Sequence, residues 1–201
     1  MKTILHLCAD IGSDSQPYRD AGYEVICVGK DIGVENYHPP KGVHGIIANP
    51  PCTHFSIART VAATPRDLRE GMRLVKEVQR IIWECQYDLV PGTRKSNLKF
   101  WAIENPATGM LRYFLGNPTY QYCPSEFGAD YTKRTALWGF FKPPPPKPFF
   151  LMNPLRKRSL VGSEVTSYLN YPKGKEGREM MMHDRSKCFE PFARAFFEAN
   201  P

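Results

Sequence analysis

The apolar runs in this chain are short and stop at clusters of turn-forming residues, and that punctuation restricts the fold more than any other feature. Residues 3–9 and 23–29 are two such runs, and the intervening Gln16–Gly22 fits a brief helix closed by Gly22. A β-α-β opening follows. A third run, Val43–Ala48, ends at Asn49-Pro50-Pro51-Cys52, where two prolines can neither donate to a ladder nor continue a helix. Cys52 is therefore expected at a strand exit.

The pattern repeats further along. Thr64-Pro65-Arg66-Asp67 combines a capping residue, a proline for the first helical position and an acid for the first turn. Leu68, Met72, Val75, Val78 and Ile82 then mark one apolar helical face. Residues 87–99 read as a polar loop, and Phe100–Ile103 as a buried strand ending at Glu104-Asn105-Pro106. Thr135–Phe141 reads as a strand before the proline block at 143–146, and Pro191–Asn200 as a short closing helix. The expectation is an α/β fold: an open, mostly parallel sheet with helices on both faces and a ligand crevice above the strand ends. At 201 residues a single domain is expected, divided into a core over 1–141, a basic proline-rich insert over 142–183 and a closing segment over 184–201.

Charge narrows the partners. The formal excess of +7 is uneven, with Lys142, Lys147, Arg156-Lys157-Arg158, Lys173 and Lys175 all in the last third, where basic groups can displace counterions from a polyanion. A solvated basic surface is the plain alternative. No apolar stretch approaches the roughly 20 residues of a membrane span, so no membrane partner is expected. The cysteines at 8, 27, 52, 85, 123 and 188 form no C-x-x-C pair and stand at no zinc-ligand spacing with histidine. Reduced thiols in a cytoplasmic protein are the expectation.

Two acids point to a nucleoside. Asp10-Ile11-Gly12-Ser13-Asp14 follows the first strand with small residues and backbone amides, and Asp31 follows the second, where a carboxylate can accept from ribose hydroxyls. Without G-x-G-x-x-G, a mononucleoside cofactor such as S-adenosylmethionine fits better than a dinucleotide. Cys52, aimed by a rigid Pro-Pro turn, suits a thiolate nucleophile, whereas Cys8, Cys27 and Cys85 inside apolar runs read as core fillers. A thiolate adding at C6 of cytosine makes C5 nucleophilic, and the scheme needs a carboxyl group at the N3 edge. Glu104, at another strand exit, is the candidate.

These residues resemble those of the DNA cytosine-5 methyltransferases, especially the short forms found among bacteriophage and mobile-element proteins. Leu7–Ser13 with Ala21–Val25 is similar to the first motif, Pro51-Cys52 to the nucleophile motif and Glu104-Asn105 to the Glu-Asn motif. The resemblance implies a Rossmann-like methyltransferase fold that binds S-adenosylmethionine through Cys8, Ala9, Asp10, Ile11, Gly12, Asp31, Ile32, Asn49 and Pro51. It further implies catalysis by Cys52 and Glu104, with Arg134 or its neighbour Lys133 supporting the base. Ser56, Asn105, Lys133, Arg156, Lys157 and Arg158 would then contact DNA, duplex or single-stranded. Cys8 stands where the family usually has an aromatic, and the target-recognition region is much reduced, so a partner protein supplying recognition is one expectation. Cys52 argues against amino-group methylation; a thiolate enzyme acting on free pyrimidine nucleotides and an inactive nucleic-acid-binding subunit stay open.

Overall fold

The computed structural model describes residues 1–9, 11–57, 64–129, 131–146, 176–177, 180 and 187–201. Strands β1 (Thr3–Leu7), β2 (Glu24–Val28), β3 (Val43–Ala48), β4 (Phe100–Pro106), β5 (Tyr120–Tyr122) and β6 (Thr135–Phe140) form one sheet in the order β2-β1-β3-β4-β6-β5. The first four strands run parallel, and β6 pairs antiparallel with both β4 and β5. The architecture is a mixed α/β fold with a mostly parallel six-stranded sheet. From β1 the chain passes to one side to make β2, then returns to the other side to make β3. That reversal opens a crevice above the carboxyl ends of β1 and β3.

Side-chain alternation along the strands divides the core between two faces. Leu5, Leu7, Ile46, Ile103 and Trp138 point to one face, which α2 (Leu68–Gln86) covers with Val75, Val78, Ile81 and Ile82. Ile4, Ile47, Ala102 and Leu137 point to the other, which is covered by Tyr18 of α1 (Gln16–Asp20) and by Phe192, Ala195 and Phe196 of the C-terminal helix Glu190–Ala199. Numbering that helix α4 leaves α3 for the short turn Arg112–Leu115. Helices thus lie on both faces, as the strand pattern implies. Among the described residues no helix is long and apolar enough to cross a membrane.

Two expected boundaries move. Helix α2 starts at Leu68 rather than at Pro65, because extended Asp67 is the cap and its carboxylate accepts from the Glu70 amide. Glu104, Asn105 and Pro106 lie inside β4 rather than past its end. The parallel partner β3 stops pairing at Ile103, but antiparallel β6 continues the ladder through Glu104, Asn105 and Pro106. Strand β5 and helix α3, of three and four residues, carry too little periodicity to be read from sequence.

Gly45 is where β3 leaves room for the Phe100 ring: a Cβ there would sit 2.2 Å from it. Phe100 is itself held between Tyr18 and Phe196, with ring centroids at 5.7 and 5.9 Å. Gly45→Ala is therefore expected to destabilise by about 2–3 kcal/mol through overpacking, visible as a fall of roughly 4–12 °C in Tm by calorimetry. A fall under one degree would mean the ring has somewhere else to go.

Candidate active site

The crevice at the exits of β1 and β3 is organised by a chain of polar side chains. His6, buried near the end of β1, places Nε2 2.7 Å from Asn49 Oδ1 and Nδ1 2.9 Å from Ser15 Oγ. The Asn49 amide nitrogen donates to Asp14 Oδ2 at 3.0 Å, and Asn49 shares the wall of one recess with Glu104. This recess opens beside the chain, lined by Asp14, Asn49, Glu104, Tyr122, Lys133 and Cys188. An apolar recess under α4, floored by Ile47, Ala102 and Leu137, shares Asp14, Glu104, Tyr122 and Cys188 with it. The two form one cleft between the sheet and α4.

Burial raises the Glu104 pKa; Lys133 opposes that, Asp14 reinforces it, and the Asn49 hydrogen bond opposes it again. The net result is a carboxyl that holds its proton above the ordinary glutamate range. A carboxyl of this kind can give or share a proton at a ring nitrogen.

Cys52 reaches the crevice by a different route. It begins a 3₁₀ turn, Cys52–His54, in which its carbonyl accepts from the Phe55 and Ser56 amides at 2.9 and 2.8 Å. The turn is tied down on three sides. Asn105 donates from Nδ2 to the Pro50 carbonyl at 2.9 Å, the Met110 amide donates to the Phe55 carbonyl at 2.9 Å, and Arg66 donates to the His54 carbonyl at 3.0 Å. Cys52 itself is exposed. It stands two residues beyond Pro50, at most about 7 Å of chain, and Pro50 is bonded to the residue next to Glu104. Cys52 is not among the residues lining the cleft, so the structure attaches thiol and carboxyl to one junction without showing contact between them.

The expected cofactor residues spread over neighbouring strand exits. Cys8 takes a left-handed backbone, φ 57°, unusual for a residue with a Cβ. Ala9 is buried, its amide donating to the Val28 carbonyl. Ile11 is half-buried; Gly12 is buried at φ 72°, where a Cβ would meet Cys27 Sγ at 3.0 Å and Arg19 at 3.1 Å. Asp31, Ile32 and Pro51 are exposed, and Ser56 is half-buried. Asp10 and the basic triplet Arg156, Lys157 and Arg158 lie outside the described residues.

Three roles change. Lys133 lines the cleft, whereas Arg134 is exposed and contributes its carbonyl to the Ala107 amide; the alternation entering β6 sends the two side chains apart. Asn105 is fully buried and its Nδ2 clamps the Pro50 carbonyl, so it supports the Cys52 turn. Cys27 is more than a core filler. Arg19 donates to its sulfur at 2.8 Å, and although burial alone would raise its pKa, His6 and Arg19 bring the thiol below the ordinary range. No local pattern marks a role for Tyr122, Lys187 or Cys188; for His6 the signal is a polar residue within an apolar strand. The chain matches no protein-family model and no curated protein sequence.

Proposed function

We propose that this chain transfers a methyl group from S-adenosylmethionine to C5 of cytosine in DNA, with Cys52 as the nucleophile at C6 and Glu104 as the acid at N3. The observation that carries this reading is the junction of β3 and β4: a cleft carboxyl, its pKa raised by burial, whose neighbour Asn105 is bonded two residues from an exposed cysteine. On this reading the sheet is a Rossmann-like methyltransferase fold, with the crevice at its strand-order reversal used for ligands.

The residues suit a sulfonium cofactor chemically. Asp14 lines the cleft with a carboxyl group that favours a cationic centre, and Asp31 is exposed at the next strand exit to accept from ribose hydroxyls. When bound, S-adenosylmethionine supplies the electrophilic methyl group that C5 accepts.

The chain's own groups do the rest. The Cys52 thiolate forms the bond to C6, and the displaced electron pair ends on N3, where the Glu104 proton neutralises it. C5 is then the nucleophilic carbon of an enamine. After methylation, loss of the C5 proton to solvent and return of the N3 proton to Glu104 expel the thiolate and restore the ring. Lys133 lies on the cleft wall to balance negative charge during these steps. Six cysteines, none of them disulfide-bonded, suit a reducing compartment, and we place the activity in the cytoplasm.

Incubation with labelled cofactor and, separately, duplex DNA, single-stranded DNA and cytidine nucleotides tests the reading. Label is expected in DNA as 5-methylcytosine. Transfer to nucleotides alone would favour a small-molecule enzyme, and no transfer to any of the three would favour a binding subunit. The basic triplet gives a separate prediction: changing Arg156, Lys157 and Arg158 together to alanine should weaken DNA binding equally for all sequences and flatten the log Kd versus log salt slope by about 2–3. A sequence-selective loss would assign the triplet to base contacts instead.

A further inference from the structure

The polar chain beneath the cleft contains a residue that the proposed chemistry does not yet use. Asn49 has its amide nitrogen toward Asp14, at 3.0 Å, and stands beside Glu104 on the recess wall, where an amide hydrogen bond acts to lower the Glu104 pKa, so the end facing the two carboxyl groups is its NH₂. Turning the amide over would set its oxygen against the Asp14 carboxylate. Its oxygen therefore faces His6 Nε2 at 2.7 Å, and Nε2 must carry a hydrogen to donate. The other ring nitrogen is engaged by Ser15 Oγ, whose hydroxyl also lies 3.0 Å from the Gly12 carbonyl. The imidazole is thus fixed at both ends, 2% exposed, in the strand beside β3.

We propose that His6 is a positioning residue: its Nε2–H locks the Asn49 amide, and the locked amide orients the Glu104 carboxyl and tunes its hold on the proton. The proposal rests on the methyltransferase reading only for its consequence, since the coupling of His6 to Glu104 is a property of the folded chain alone. The groups facing this chain are known. Asp14 and Cys27 face His6, with Arg19 on the sulfur; Asp14, Lys133, Lys187, Tyr122 and Cys188 surround Glu104. Burial works against a charged His6, but Cys27, Asp14 and Asn49 outweigh it and raise its pKa, which strengthens the donor toward Asn49.

The sign of the effect follows from the bond. An amide N–H given to the Glu104 carboxylate favours the charged form, so loosening Asn49 should raise the Glu104 pKa further. The test is carboxyl ¹³C NMR titration of the full chain, without cofactor or nucleic acid, for wild type, His6→Leu, His6→Gln and Asn49→Ala. The Glu104 midpoint is expected to rise by about one pH unit in H6L and N49A. It should return toward wild type in H6Q, whose amide nitrogen can replace Nε2–H. Should H6L fail to fold, N49A and H6Q decide the matter. An unchanged midpoint in folded N49A or H6L, or a shift in H6Q as large as in H6L, would overturn the proposal.

Methyl transfer gives a second readout. The alkaline limb of the pH-rate profile should move up by the same amount as the NMR midpoint while the maximum rate falls; a purely structural role would lower the folded fraction without moving the limb. If no variant or wild-type protein transfers methyl groups yet the titration behaves as expected, the functional reading fails and the coupling stands.

Discussion

Cys52→Ser is expected to lower methyl transfer by at least about 1,000-fold while leaving the fold and cofactor affinity nearly intact. The loss is large because a serine hydroxyl at this position is a far weaker nucleophile than a thiolate, and no step of the scheme proceeds before the bond to C6 forms. The fold is spared because Cys52 is exposed on its 3₁₀ turn, and the turn is held by backbone groups and by Asn105, Met110 and Arg66 rather than by the sulfur. Exposed substitutions of this kind usually stay within about 0.5 kcal/mol. Single-turnover assays with labelled cofactor and calorimetry on the same preparations check both halves. Turnover within tenfold of wild type would remove Cys52 from the chemistry.

Glu104→Gln should cost at least about 100-fold in rate, because the amide keeps the shape and some hydrogen bonding but cannot supply a proton to N3. Its effect on stability runs the opposite way. Burial raises the Glu104 pKa in the folded state, so ionising the group opposes folding. Wild-type stability is fully present below the unfolded glutamate value and declines as pH rises through the folded one. The glutamine variant escapes that decline. It should match wild type in Tm near pH 4 and exceed it at pH 8, a pairing of lost activity with gained stability expected where a site is built at the expense of the fold. A variant that is active, or less stable than wild type at pH 8, would make Glu104 a structural residue.

What could be read from the chain in advance follows the range of the interactions. Strands β1 to β4 and the apolar face of α2 were legible because local period and punctuation specify them, and so was the placement of Asn49-Pro50-Pro51-Cys52 just past β3. The start of α2 lies three residues beyond Pro65 because Thr64-Pro65 and Asp67 offer competing starts, and only the bond from the Glu70 amide selects Asp67. Glu104 was recognised as a strand-end acid, but its continuation in the ladder depends on β6, about 30 residues away. The choice between Lys133 and Arg134 needed the register of that same strand. Least legible was the polar chain. His6 meets Asn49 across 43 positions and Asn49 meets Asp14 across 35, and no local pattern announces partners at such separations. The cleft itself depends on α4, which brings Phe192 and Phe196 over Ala102 and Leu137 from the far end of the sequence.

The central claim, a covalent bond from Cys52 to C6 of cytosine in DNA, is tested most directly by trapping it. Cytosine fluorinated at C5 has no proton to lose there, so the step that would expel the thiolate is blocked after methylation. Wild-type protein incubated with S-adenosylmethionine and 5-fluorocytosine oligonucleotides, duplex and single-stranded, should give a denaturation-resistant adduct. Its mass should equal protein plus oligonucleotide plus one methyl group less the thiol hydrogen, and the modified peptide should contain Cys52. No adduct in either strand form, or an adduct mapped to another residue, would contradict the account.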